Sequence, residues 1–134
     1  MRVLVTGGAG FIGRHLVYGL LERGDDIAVI DDLATGHMGR LEDVLDRITF
    51  LEGSILDPVA LDAVTPGCDV ILHEAALPSV ARSVRDPRRS DEVNTSGTIE
   101  VMLAAARHEV RRVVLVASSS VYGSSPDDRD DRDV

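Results

Sequence analysis

The most constraining stretch of the chain is Thr6-Gly7-Gly8-Ala9-Gly10-Phe11-Ile12-Gly13. Before it, Arg2-Val3-Leu4-Val5 is a short β-branched, apolar run of the kind a buried parallel strand shows. After it, Ile12, Leu16 and Leu20 recur every fourth residue, Val17 and Leu21 widen the stripe, and Gly24 closes the run as a helix C-cap does. The order is strand, glycine turn, helix. Gly7, Gly10 and Gly13 carry the spacing G-x-x-G-x-x-G, one residue longer than the commoner G-x-G-x-x-G. The first glycine allows the sharp turn, the second lets the backbone approach a pyrophosphate, and the third lets the helix pack close to the strand. The N–H groups of Phe11 and Ile12 then face the phosphates, where the helix dipole favours negative charge. A glycine triplet alone marks only a tight turn; between this strand and this helix it reads as a nucleotide site.

Ile27 to Ile30 forms a second strand that ends at Asp31-Asp32. Asp31 falls about 20 residues beyond the glycine turn, where a carboxylate receives the ribose hydroxyls of a dinucleotide. A carboxylate there repels a 2′-phosphate and no arginine follows at once, so NAD is favoured over NADP. Without the glycine motif the same pair would read as a solvated turn. Leu41 to Leu45 is a short helix. Ile48 to Leu51 is a third strand, and Asp57 before Pro58 caps a helix through Val64. Asp69 to His73 is a fourth strand. Ala75 and Ala76, just beyond it, are small enough to let a ligand lie flat against the sheet edge. His73 is either an acid/base group or a structural histidine, and the lack of a partner in sequence favours the second. Ser79 to Pro87 is polar. Its Arg82 and Arg85, with Arg88 and Arg89, are either a positive patch for an anionic substrate or a solvated loop with salt bridges. Asn94 to His108 reads as a long helix, with Ile99, Met102, Leu103, Ala106 and Val110 on one face. Arg112 to Ala117 is a fifth strand running into Ser118, Ser119 and Ser120. Hydroxyls at that strand end stand where ligands of open α/β sheets bind, or simply form a turn.

Five strands alternating with helices predict an α/β, Rossmann-type, doubly wound parallel sheet of order 3-2-1-4-5, truncated after the fifth strand. With 134 residues the chain suffices for one domain with its own core. We expect that domain over residues 1–123, incomplete for want of a sixth strand, and a disordered acidic tail over 124–134. A net charge of −9 argues against nucleic acid and anionic membranes as partners. The single cysteine, Cys68, permits no internal disulfide, and neither a leader nor a membrane-length apolar run is present, so a cytoplasmic location is expected. The chain has no lysine.

From Met1 to about Ser125 the chain resembles the N-terminal half of the extended short-chain dehydrogenase/reductase family, within it the NAD-dependent sugar-nucleotide epimerases and dehydratases. The resemblance is carried by the glycine stretch, by Asp31-Asp32-Leu33, by His73 to Val80 with Arg82-Ser83-Val84 and Asp86-Pro87, by Asn94 to Thr98, and by Ser118 to Gly123. The nearest subgroup is the UDP-glucose or UDP-N-acetylglucosamine 4-epimerases. The resemblance implies that NAD is held by Gly7, Gly10, Phe11, Ile12 and Gly13, by Asp31 and Asp32, and by Ser54 and Ile55 near the adenine. Ala75, Ala76, Leu77 and Asn94 complete that cofactor site. Ser54 stands where the family often has an aspartate, so its contact should be weaker. Ser79, Val80 and Arg82 correspond to positions that reach a UDP-hexose, and Ser118 to the serine that orders the sugar hydroxyl for catalysis. The family's base is a tyrosine followed four residues on by a lysine. Tyr122 is followed there by Pro126, and Tyr18 lies in the first helix. Two readings follow: a portion of an epimerase that is inactive alone, or a free-standing, non-catalytic NAD-binding module. Either leaves the fifth strand as a sheet edge open to a second copy or a partner chain.

Overall fold

Strand β1 (Arg2–Thr6) runs through the middle of the molecule with both faces covered, and Val3, Leu4, Val5 and Thr6 are all buried. A computed structural model describes residues 1–118. Around β1 lie β2 (Asp26–Asp31), β3 (Thr49–Glu52), β4 (Val70–His73) and β5 (Arg112–Leu115) in the order β3-β2-β1-β4-β5, every pair parallel. This is the expected order. The fifth strand ends at Leu115, short of Ala117.

Alternate residues of the strands feed two cores. Val3, Val5, Ile27 and Val29 pack with Val17, Leu20 and Leu21 of helix α1 (Phe11–Glu22), and with Leu41 and Val44. Leu4, Ala28, Ile30 and Ile71 pack on the other face with Leu61 and Val64 of α2 (Pro58–Val64), and with Val101, Ala104 and Ala105 of α5 (Gly97–Arg107). Each such aliphatic side chain fully withdrawn from water contributes about 1.5–3 kcal/mol, which is why the strands read as continuous apolar runs rather than alternating ones.

The helix ends follow local chemistry. At the end of α1, Gly24 takes φ +82°, its N–H donates to the Leu21 carbonyl and the Asp25 N–H to Leu20, so the last turn is satisfied by a left-handed glycine. Asp57 caps α2 by accepting from the Val59 N–H at 2.9 Å, with Pro58 first in the helix. In place of the expected helix over Leu41 to Leu45, two 3-10 turns span Met38–Arg40 and Glu42–Arg47, with Leu41 between them.

Other sequence expectations are corrected. The buried stripe of α1 is Gly13, Val17, Leu20 and Leu21, while Ile12 is exposed, because close approach to the glycine turn forces the Gly13 side of the helix inward. Ser79 to Pro87 is not a loop. Ser79 caps α3 (Val80–Arg85) and Asp86 caps α4 (Pro87–Asp91), each accepting a backbone N–H three residues on. Helical structure continues from α4 through a π-helical turn at Glu92–Ser96 into α5, so Asn94 lies inside a helical run rather than opening one. On α5 the inward face is Gly97, Val101, Ala104 and Ala105, and Ile99, Met102, Leu103 and Ala106 face outward. A side chain at Gly97 would stand 2.6 Å from the Ile55 Cδ1, so at this position the Ile55 side chain fills the space a larger residue would need. The expected tail and Tyr122 lie outside the described residues.

Candidate functional site

The strand order reverses between β1 and β4, whose last residues, Thr6 and His73, are register partners. The C-terminal ends of strands at such a reversal leave a crevice, because their connections depart in opposite directions. Gly7 turns out of β1 at φ +71°, and its N–H donates to the Ile30 carbonyl at 2.8 Å. A Cβ on Gly7 would stand 2.8 Å from the Ala75 backbone nitrogen, and one on Gly13 would overlap the Gly7 carbonyl. The turn therefore lies flush against both the β4 exit and helix α1. The N–H groups of Phe11 and Ile12, in the first turn of α1, have no carbonyl one turn back in the helix. The Phe11 ring is exposed and stands edge-on to His15.

Asp31 ends β2 beside this turn. Its Oδ2 accepts the Ala9 N–H at 2.9 Å and its Oδ1 the Leu33 N–H at 2.9 Å. Burial pushes the carboxyl above its ordinary value, opposed by those two N–H groups and by Arg40, while Asp32 adds to the rise. Arg40 donates to the Ala9 carbonyl at 3.0 Å, folding the segment after β2 back over the glycine turn. Asp32 faces Arg89 at 3.9 Å, and Arg89 also pairs with Glu92 at 2.8 Å.

Two cavities meet here. One is lined by Gly7, Asp31, Asp32, Thr35, Gly53, Ile55 and the segment Glu74 to Leu77. The other, of about 580 Å³, is predominantly apolar and lined by Ile12, His73, Glu74, Ala75, Ala76, Pro78, Asn94, Thr98 and Leu115 to Ser118. That volume is in the range of small-molecule sites. Glu74, Ala75 and Ala76 form the wall common to both, and burial raises the Glu74 carboxyl. A dinucleotide fits this arrangement. Its adenosine ribose would meet the carboxylates, its phosphates the start of α1 where a side chain on Gly13 would block the turn, and its second ring the apolar cavity.

Most of the residues singled out from sequence converge on this crevice, with differences in role. Asn94 accepts the Leu77 N–H at 2.8 Å and returns a bond to the Leu77 carbonyl at 3.4 Å, so it holds the wall as well as lining the cavity. Ser54 accepts the Leu56 N–H and lines neither cavity, although its neighbour Ile55 does. Ser79, Val80 and Arg82 stand at the exposed start of α3, outside both linings. Ser118 lines the apolar cavity. His73 is buried and hydrogen-bonded to Thr6 and Thr98. Thr6 and Thr35 were not picked out from sequence. A threonine ending an otherwise aliphatic strand was the available signal for Thr6. Tyr18 donates its hydroxyl to the Asp43 carboxylate, which raises the phenol above its ordinary value, the reverse of what a phenolate base needs.

Comparison with known proteins agrees with this geometry. The model of the NAD dependent epimerase/dehydratase family matches residues 3–134. The UDP-glucose 4-epimerase of Halalkalibacterium halodurans is 40% identical over 92% of this chain and 36% of its own length. The dTDP-glucose 4,6-dehydratase of Streptomyces venezuelae, crystallised with NAD, superposes with a TM-score of 0.88 at 39% identity, covering 93% of this chain and 42% of that one. The UDP-N-acetylglucosamine 4-epimerase of Methanobrevibacter ruminantium, in complex with UDP-N-acetylmuramic acid, gives 0.86 at 32% identity, covering 93% and 40%. The chain thus spans well under half of the length of each of these proteins.

Proposed function

The chain belongs to the NAD dependent epimerase/dehydratase family, and from that premise we propose that it is the NAD-binding portion of a sugar-nucleotide epimerase or dehydratase of the UDP-hexose 4-epimerase type. The observation that carries this reading is the pair of cavities sharing the Glu74–Ala76 wall, one carrying Asp31 and Asp32 and the other apolar. NAD supplies a hydride acceptor for a sugar carbinol when bound. The chain's own residues orient it: Asp31 and Asp32 take the ribose hydroxyls, the Phe11 and Ile12 N–H groups the phosphates, and Ala75 and Ala76 give a flat wall. On the substrate side, Ser118 orders a sugar hydroxyl, and Ser79, Val80 and Arg82 reach the nucleotide. The single buried thiol of Cys68 suits a reducing, cytoplasmic setting.

Calorimetric titration with NAD and NADP tests the cofactor reading. NAD should bind more tightly, and Asp31→Ala should narrow the gap, because the carboxylate that repels a 2′-phosphate is removed. Equal or tighter NADP binding by the unmutated chain overturns the carboxylate argument. Binding of neither overturns the site.

A second reading, a non-catalytic NAD-binding module that associates with another chain, is favoured by one feature. Among the described residues, Val114, Leu115 and Val116 at the β5 edge are exposed, as are Ile99, Met102 and Leu103 on α5. Sedimentation of the purified chain separates the two: self-association or a stable heteromeric complex supports the module, and a monomer at all concentrations counts against it.

A further inference from the structure

His73 sits at the strand reversal with both ring nitrogens engaged. Its Nδ1 is 2.7 Å from the Thr6 Oγ1 and its Nε2 is 3.0 Å from the Thr98 Oγ1. Thr98 also donates to the Asn94 carbonyl at 2.8 Å, and the Thr6 Oγ1 also accepts the Ala75 N–H at 3.2 Å. These contacts fix the proton positions. If Thr98 gives its hydrogen to Asn94, its oxygen accepts from His73, which places the ring proton on Nε2. Nδ1 is then the acceptor, Thr6 donates to it, and the Thr6 lone pairs face the Ala75 N–H. Every donor and acceptor is used. The other neutral tautomer has Nδ1 donating to Thr6, which already accepts from Ala75. The Thr6 hydroxyl hydrogen, on a residue with no solvent exposure, would then lack an acceptor among the described residues, and such an orphan is costly.

We infer that His73, held as the neutral Nε2–H tautomer between Thr6 and Thr98, is a positioning residue that sets the wall shared by the two cavities. The hydrogen-bond chain runs one way, from the His73 Nε2–H to Thr98 and on to Asn94 on one side, and from the Ala75 N–H through Thr6 to Nδ1 on the other. It therefore ties α5, β4 and β1 together. The same Asn94 holds Leu77 by its side chain, and Ala75 lies against Gly7, so both ends of the Ala75–Leu77 segment depend on this chain. The consequence for cofactor affinity rests on the NAD reading above; the proton positions do not.

The test begins with the unmutated chain. Long-range proton–nitrogen correlation spectra of the histidine rings at neutral pH should report Nε2 protonated and Nδ1 bare for His73. In Thr98→Val, which keeps the shape and removes the acceptor, the ring should shift toward Nδ1–H. That shift turns the Thr6 hydroxyl away from its donor role and lowers protection of the Ala75 amide against hydrogen exchange. NAD affinity should fall about tenfold, the scale of one well-placed hydrogen bond. Thr98→Ser should restore the tautomer, the protection and the affinity. An Nδ1–H ring or an imidazolium in the unmutated chain overturns the inference, and so does a folded Thr98→Val with unchanged tautomer and Ala75 exchange. Should Thr98→Val fail to fold, the ring spectrum of the unmutated chain decides. Loss of NAD binding by every form, with the tautomer and exchange results as expected, would overturn the cofactor reading and leave the positioning role standing.

Discussion

At the scale of single residues, glycine has opposite meanings at two positions of helix α1. A side chain on Gly13 would overlap the Gly7 carbonyl, whereas one on Gly19 meets nothing within 4 Å. Gly13→Ala should therefore push the helix off the turn, destabilise the fold by roughly 1–3 kcal/mol as overpacking does, and abolish nucleotide binding. Gly19→Ala should stabilise by about 0.5–1 kcal/mol, since it lowers the backbone entropy lost on folding. Chemical denaturation of both variants checks the pair, and equal effects would contradict the close-approach account. His73 leads to a pH prediction. Burial lowers its pKa from the ordinary 6.5, so between the depressed value and 6.5 the unfolded chain binds the extra proton. Stability from this group is full above 6.5 and is lost as pH falls through that window, by at most about 1.4 kcal/mol per pH unit. Glu74, the ionisable neighbour on the same wall, acts in the opposite sense nearer 4.5, because burial raises its carboxyl. Denaturation at about pH 7.5 and about pH 5.5 should find the loss on acidification smaller in His73→Asn than in the unmutated chain.

At the scale of elements, the strands and the glycine turn were legible because their signals are local. A parallel strand buried on both faces must be apolar throughout, and the turn must be glycine where backbone meets backbone. Two features resisted. The inward face of α5 is mostly small: Gly97, Ala104 and Ala105, with Val101, pack against Ile55 and α2, while Ile99, Met102 and Leu103 are left outside. Hydrophobic periodicity favours the larger side chains and so selects the wrong face. Helices α3 and α4 are too short for periodicity to register, yet their caps were present in the sequence. Asp86-Pro87 has the same form as Asp57-Pro58, which was read correctly. The site was legible where a motif implied a close approach and illegible where it depended on hydroxyls such as Thr6 and Thr35, which have no spacing signature. The caps make a direct prediction: Asp57→Ala should cost about 1 kcal/mol, because the Val59 N–H loses its acceptor. Asp57→Asn should retain most of that stability in thermal melts, and an Ala variant as stable as the Asn one would show that the cap contributes nothing.

At the scale of the whole molecule, the issue is how far this polypeptide can proceed with the chemistry of its family. Hydride transfer from a sugar carbinol needs the hydroxyl proton removed in step, and a free phenol has a pKa near 10. The chain has no lysine to lower that value, and Tyr18 is raised instead by its bond to Asp43. Ser118 lines the apolar cavity and can orient a hydroxyl, but a serine hydroxyl is itself too weak a base to take a sugar's proton at neutral pH. His73 has its ring nitrogens committed to Thr6 and Thr98. Glu74 is the carboxylate on the wall of both cavities, and a carboxylate is a weaker base than a phenolate. General-base help is typically worth about 10²–10⁴ in rate, and loss of substrate positioning removes more. The 134-residue chain, purified alone and supplied with NAD, should therefore bind the cofactor without converting UDP-glucose or UDP-N-acetylglucosamine at a useful rate. Chromatography of the sugar nucleotides after incubation provides the measurement. Turnover near about 1 s⁻¹, abolished in Ser118→Ala, would refute the prediction and require a base within this chain. Glu74→Gln would then be the first variant to assay, since its carboxylate borders the cavity where the reacting carbon must lie.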